Sequence, residues 1–313
     1  RRACDGVLAA HDGPVAERAP ALALRGFVDI CLGNAPRGRR DLSAGTQLAR
    51  RLHPVNYASV QLYSAVMAAL GILDAAALLD DKRRALHRAE AFGDICGIVI
   101  AQWSYGTVLL RAGGKEDEAL ATLELARANS QRYGIGACSL GTIIPDLARG
   151  AARTGRLDAA IAELRVSFEG YWSGFPVFAG FSAEALVDLL IERRGAADLA
   201  EARLLLDRWE SRLDGAPGLV LWVPRARALL AAAQGDRDAC HRQARRYLRA
   251  CEEIGAHVKD GDSWLEWDST LPLPSGSVHV RAIPLSDDAG PVGAVVLVHD
   301  MSFIERREGA MQR

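Results

Sequence analysis

Three groups of residues have types that could do chemistry. Gly113-Gly-Lys115 could open a phosphate-binding loop, in which backbone N–H groups cradle phosphates and the Lys reaches the terminal ones. The spacing does not fit. Leu109 stands where the first Gly belongs, and Glu116 replaces the Ser or Thr that would meet a metal ion. A helix-ending turn accounts for these residues instead. Cys240-His241 with Cys251 offers two thiols and an imidazole, the donor types of a zinc site. At helical spacing Cys240 and Cys251 share an apolar face while His241 points elsewhere, so packing is expected. The seven histidines have no carboxylate, Ser or Cys partner at a spacing that suggests acid–base work. No catalytic, cofactor-binding or metal-binding residue is assigned, and no cofactor is expected.

Two further groups suit recognition. Phe168, Tyr171, Trp172, Phe175, Phe178 and Phe181 surround Gly174 and Pro176. Such a cluster packs a turn between helices, but Tyr and Trp at an exposed edge also anchor partners. Tyr171, Trp172, Phe175 and Phe178 are therefore candidate partner-binding residues, with Trp172→Ala as the test. Arg242, Arg245, Arg246 and Arg249 form a basic stripe opposite an apolar helix face. A solvated outer face explains the stripe, and docking of an acidic partner or a nucleic-acid backbone is the functional alternative.

The elements that must position these residues follow a clock of glycines. Gly114, Gly155, Gly195 and Gly235 are spaced 41, 40 and 40 apart. Gly93, Gly134, Gly174, Gly215 and Gly255 form a second set, spaced 41, 40, 41 and 40. The sets lie half a period apart and cut the chain into blocks long enough for one helix and a turn. This is the pattern of a helical-hairpin solenoid, whose units bury their apolar faces only by stacking. In the first set Asp follows Gly by three residues (Asp117, Asp158, Asp198, Asp238) and a small residue by five (Ala119, Ala160, Ala200, Cys240). Gly accepts the left-handed backbone that ends a helix, and Asp near the next helix start favours the positive end of its dipole. Gly38 with Asp41 and Gly71 with Asp74 extend the pattern towards the N-terminus, at less regular spacing.

Apolar spacing agrees. Ala119, Leu123 and Ala126 share one face, as do Ala160, Leu164 and Phe168, and Ala202, Leu205 and Trp209. Their partner helices, Ile98–Arg111, Leu140–Arg153, Phe181–Arg194 and Leu219–Ala233, read as apolar nearly all round, as inner helices should.

After Gly255 the periodicity changes to alternation. Strands are expected over Trp264–Leu271, Ser277–Leu285 and Val292–His299, antiparallel, with turns at Pro272–Gly276 and Asp287–Gly290. Ser302-Phe-Ile-Glu305 is a capping box that starts a last helix. The expected division is 1–258 for the helical array and 259–313 for the β segment.

Composition narrows the function. Of 313 residues, 38 are Lys or Arg and 39 are Asp or Glu, so no bulk field draws in nucleic acid or anionic lipid. No uninterrupted apolar run reaches the length of a membrane span. Six cysteines without a Cys-x-x-Cys pair suit a reducing cytoplasm. The chain starts at Arg1 without Met and stops inside a helical pattern, so it reads as a piece of something larger.

Leu86-His-Arg-Ala-Glu-Ala-Phe-Gly-Asp94, Asp146-Leu-Ala-Arg-Gly-Ala-Ala-Arg-Thr-Gly-Arg-Leu-Asp-Ala-Ala-Ile161 and Arg225-Ala-Arg-Ala-Leu-Leu-Ala-Ala-Ala-Gln-Gly-Asp236 carry a resemblance. The stretch from Leu22 to Gly255 resembles the tetratricopeptide-like, MalT-like helical region of actinobacterial signalling proteins. In those, a class III adenylate or guanylate cyclase domain precedes an AAA-type ATPase and the array. The resemblance implies catalytic domains upstream of this chain, so no catalytic residue carries over. Gly293-Ala-Val-Val-Leu-Val-His-Asp-Met-Ser302 with Glu305-Arg-Arg-Glu308 is similar to the end of a PAS-type sensor. It is also similar to the sensory segment before trehalose-phosphate synthase in some bacterial fusions.

The expected fold is thus an all-α, tetratricopeptide-like solenoid with a small C-terminal antiparallel β segment. The expected role is a non-catalytic scaffold in bacterial signalling that binds a protein, a peptide or a neighbouring domain, but not nucleic acid or membrane. The alternatives are the regulatory end of a multidomain nucleotide cyclase and a PAS-type sensor.

Overall fold

The computed structural model describes residues 1–9, 14–135, 137–174, 176–212, 216–254, 268–273, 276–287 and 290–300. The chain separates into two units, Arg1–Ala256 and His257–Arg313. The first carries α1 (Arg2–Ala9), α2 (Val15–Cys31), α3 (Ala35–Ala49), α4 (Pro54–Ala69), α5 (Ala75–Phe92), α6 (Ile95–Ala112) and α7 (Glu116–Tyr133). It continues with α8 (Ala137–Arg153), α9 (Leu157–Trp172), α10 (Pro176–Arg193), α11 (Ala196–Arg212), α12 (Trp222–Ala233) and α13 (Arg237–Ile254). The described part of this unit is mostly helical.

Local sequence sets the helix limits. Asp74 caps α5 by accepting the Ala77 N–H at 3.2 Å, and Asp94 caps α6 through Cys96 N–H at 3.1 Å. Gly93 and Gly134 end α5 and α7 with φ of 77° and 63°. Gly113 and Gly114, both left-handed, turn α6 into α7. Three glycines of the clock behave otherwise, and one of them, Gly174 after α9, has no left-handed backbone. At Gly195 the left-handed residue is Arg194 (φ 59°), and the Gly195 N–H instead donates to Asp198 at 3.1 Å. Gly38 is not a turn at all. It lies inside α3, where an added Cβ would stand 2.5 Å from the Gly26 carbonyl oxygen and 2.5 Å from Ile30. Gly26, Gly38 and Gly45 therefore let the backbones of α2 and α3 touch.

The even-numbered helices form a row. α2 contacts α4, α4 contacts α6, and so on through α8 and α10 to α12. Each odd-numbered helix from α3 to α11 packs against the even helices before and after it, and α13 packs on α12. Burial follows this division. α6 buries Val99, Ala101, Trp103, Tyr105, Val108 and Leu109, on every side. α7 buries only the stripe Ala119, Leu123, Ala126 and Ser130. By length and composition α6 could cross a membrane, but 61% of it is buried inside the unit, as a core helix is. A continuous apolar cluster runs from Ala148 through Phe168, Leu186 and Trp209 to Leu230.

The row bends until its ends meet. The Gly218 N–H, just before α12, donates to the Cys31 carbonyl at the end of α2, 3.0 Å away. A Cβ on Gly218 would stand 2.7 Å from the Ile30 carbonyl oxygen, so only Gly approaches this closely.

The second unit carries β1 (Asp268–Leu273), β2 (Gly276–Asp287) and β3 (Gly290–Asp300). They pair antiparallel in the order β1-β2-β3, with Thr270 opposite His279 and Val280 opposite Val298. Trp264 and the Ser302–Glu305 capping box lie outside the described residues, as do Gly215 and Gly255.

Candidate functional site

The inner row carries a polar track that runs from helix to helix. Asp146 on α8 is 1% exposed. It accepts from Arg111 Nη2 on α6 at 2.8 Å and from Thr107 Oγ1 at 3.3 Å. Arg149, one turn on, lies 3.8 Å from Asp146 and 3.3 Å from Asp188 on α10. Arg225 on α12 donates to Glu184 at 3.0 Å and to both oxygens of Asp188 at 3.2 Å. Three arginines and three carboxylates thus alternate across four helices. The track is not sealed: Arg111, Asp188 and Arg225 each keep about a quarter of their side-chain surface accessible. Arg149 Nη1 is buried and has no hydrogen-bond partner among the described residues.

Electrostatics fixes these charges. Burial works against the Arg111 guanidinium, but Asp146, Glu184 and Asp188 outweigh it and raise its pKa. The same balance raises Arg225, through Asp188 and Glu184. Tyr247 on α13 adds to this field at Arg225, and burial pushes its own phenol upward.

Arg111, Arg149, Asp188 and Arg225 are 38, 39 and 37 residues apart, one on each of four helices that follow one another in the row. Reading the inner helices as apolar nearly all round missed it. A search for charges inside the apolar helices, spaced a little under the glycine period, would have found it.

The aromatic candidates divide between two places. Phe168, Tyr171 and Phe181 are buried in the core, so Tyr171 is not an exposed edge residue. Trp172 is half-buried. Arg208 and Arg212 stand over its ring at 4.2 and 4.5 Å, and Trp209 touches it with ring centres 6.2 Å apart. Phe178 faces the other way, towards Trp103 on α6 at 6.3 Å. It lines an apolar cavity of ≈ 230 Å³ with Val177, Gly174, Phe27 of α2, and Leu62, Tyr63 and Val66 of α4. Phe175 lies outside the described residues. On α10, Val177, Glu184 and Asp188 share one face, at i, i+7 and i+11, so the cavity and the charged track are about 10 Å apart along that helix.

All four arginines of the basic stripe are exposed on α13. Arg246 donates to Glu210 at 2.8 Å, and with Arg249 it borders a cleft of ≈ 310 Å³ floored by Val220, Leu221 and Pro224. Arg242 and Arg245 do not border it. Lys115, of the phosphate-loop candidate, sits 3.0 Å from Glu118 at the start of α7. Cys251 is buried and its thiol is pushed up to about 11 by burial, while Cys240 is half-buried.

Comparison with known proteins gives no matching family model and no matching curated protein.

Proposed function

We propose that the helical unit is a tetratricopeptide-like hairpin solenoid acting as a non-catalytic interaction scaffold of a bacterial signalling protein. It would hold a protein, a peptide or a neighbouring domain against the inner face of its even-numbered helices. The observation that carries this reading is the polar track, with charges on each of four stacked helices, partly accessible and fixed in position. A regular series of oriented donors and acceptors suits an extended partner lying across the hairpins. Buried anchors rather than total area would set the affinity. The track-free outer helices leave Trp172, with its two arginines, as a separate anchor. The pairing of β1, β2 and β3 supports a PAS-like closing segment after the array, and a cytoplasmic setting goes with the reading.

The test uses the whole chain as bait with and without Asp188→Lys and Trp172→Ala, each checked for helicity by circular dichroism. A partner retained by the wild type and lost on Asp188→Lys supports the inner face. A partner lost only on Trp172→Ala moves the site to the outer stack. A partner indifferent to both, or nucleotide turnover by the purified chain, refutes the reading.

A further inference from the structure

The apolar cavity has walls from distant parts of the row. Phe27, Leu62, Tyr63 and Val66 come from α2 and α4, whereas Val177 and Phe178 come from the start of α10. Two even-numbered helices, α6 and α8, separate these walls in the row. The cavity therefore exists only while the row is bent closed, the state in which Gly218 N–H reaches Cys31.

Its chemistry is narrow. The lining offers hydrocarbon and aromatic surface, with the rings of Phe27 and Tyr63 5.7 Å apart. None of the described lining side chains carries a charge. A charged or strongly polar occupant would lose part of its hydration without replacement. Size is the second constraint. A dry cavity of about 150 Å³ lined by similar residues holds benzene. The present pocket is open to solvent on one side, and its ≈ 230 Å³ has room for a fused bicyclic aromatic.

We infer that this cavity binds a small, uncharged, apolar molecule the size of a bicyclic aromatic, and that its occupancy holds the helical row closed. An occupant touching both walls binds the closed row and not an opened one, so binding draws the population towards closure. This site goes beyond the scaffold reading and needs no protein partner, so either can fail without the other.

The probe is indole, titrated into the full chain by calorimetry and followed by thermal unfolding. Saturable binding with one molecule per chain, and a rise in unfolding temperature, are expected. Val177→Trp and, independently, Val66→Trp fill the cavity and are expected to weaken indole at least about tenfold while circular dichroism stays helical. In the unmodified chain, saturating indole is expected to slow hydrogen exchange at the Gly218 amide. Absence of binding up to the solubility of indole overturns the site, as does binding untouched by both Trp variants. Binding with unchanged Gly218 exchange overturns the closure.

Discussion

Lys82 is wholly buried on α5, and its amine lies 2.6 Å from the Gln61 carbonyl, the Gln61 side-chain oxygen and Ser64 Oγ. Three acceptors match the three N–H bonds of an ammonium. Burial nevertheless outweighs Asp81 and lowers the amine's pKa from 10.5 to about 7. Between those two values the unfolded chain holds a proton that the folded chain has shed. Stability then rises with pH, by about 1.4 kcal/mol per unit. Below pH 7 both states are protonated and the slope vanishes; above 10.5 both are neutral and it vanishes again. Across the 3.5-unit window between 10.5 and about 7, the gain is on the order of 5 kcal/mol. The assay is urea unfolding of the wild type and Lys82→Met at half-unit steps from pH 6.5 to 10. Subtracting the two profiles removes the tyrosines and thiols common to both. The difference is expected to be flat below 7 and to climb in favour of the wild type above it. A flat difference throughout would refute the reasoning, because the three acceptors would then be holding the proton against burial.

Gly38→Val would place side-chain atoms where the Gly26 carbonyl and Ile30 already stand, and is expected to cost about 1–3 kcal/mol in urea unfolding by prising α2 from α3. Arg225→Ala removes the only cation that donates to Glu184 and Asp188 together among the described residues. A loss of about 2 kcal/mol is expected, below the 3–5 of a sealed pair because a quarter of Arg225 is accessible. Trp172→Ala empties the space under Arg208 and Arg212 and loosens Trp209; a cost of about 3 kcal/mol and a weaker near-ultraviolet dichroism signal would show it.

The helical blocks were legible because a left-handed turn nearly demands Gly, and Gly93, Gly134, Gly155 and Gly235 mark such turns at their full spacing. The same logic misled at Gly38. There the missing side chain serves a close helix contact, and the sequence signal of the two uses is identical. At Gly195 the Arg193–Asp198 ion pair, 2.5 Å long, accompanies a left-handed Arg194, a tertiary arrangement that local spacing does not encode. The polar track escaped notice because one or two charges in an apolar helix look tolerable one helix at a time. Only their recurrence from helix to helix carries meaning. The aromatic cluster looked like one patch in sequence, but helical geometry sends Trp172 and Phe178 to different neighbours.

The interlocking of charges on successive inner helices also bears on how the molecule comes apart. Peeling α12 away would strip Arg225 from Glu184 and Asp188, leaving Arg149 to answer two carboxylates alone. Each departing hairpin therefore bequeaths an electrostatic debt to the one behind it, and stepwise fraying from the end is discouraged. From α6 to α12 the stack therefore behaves less like a string of independent beads and more like one block that parts together.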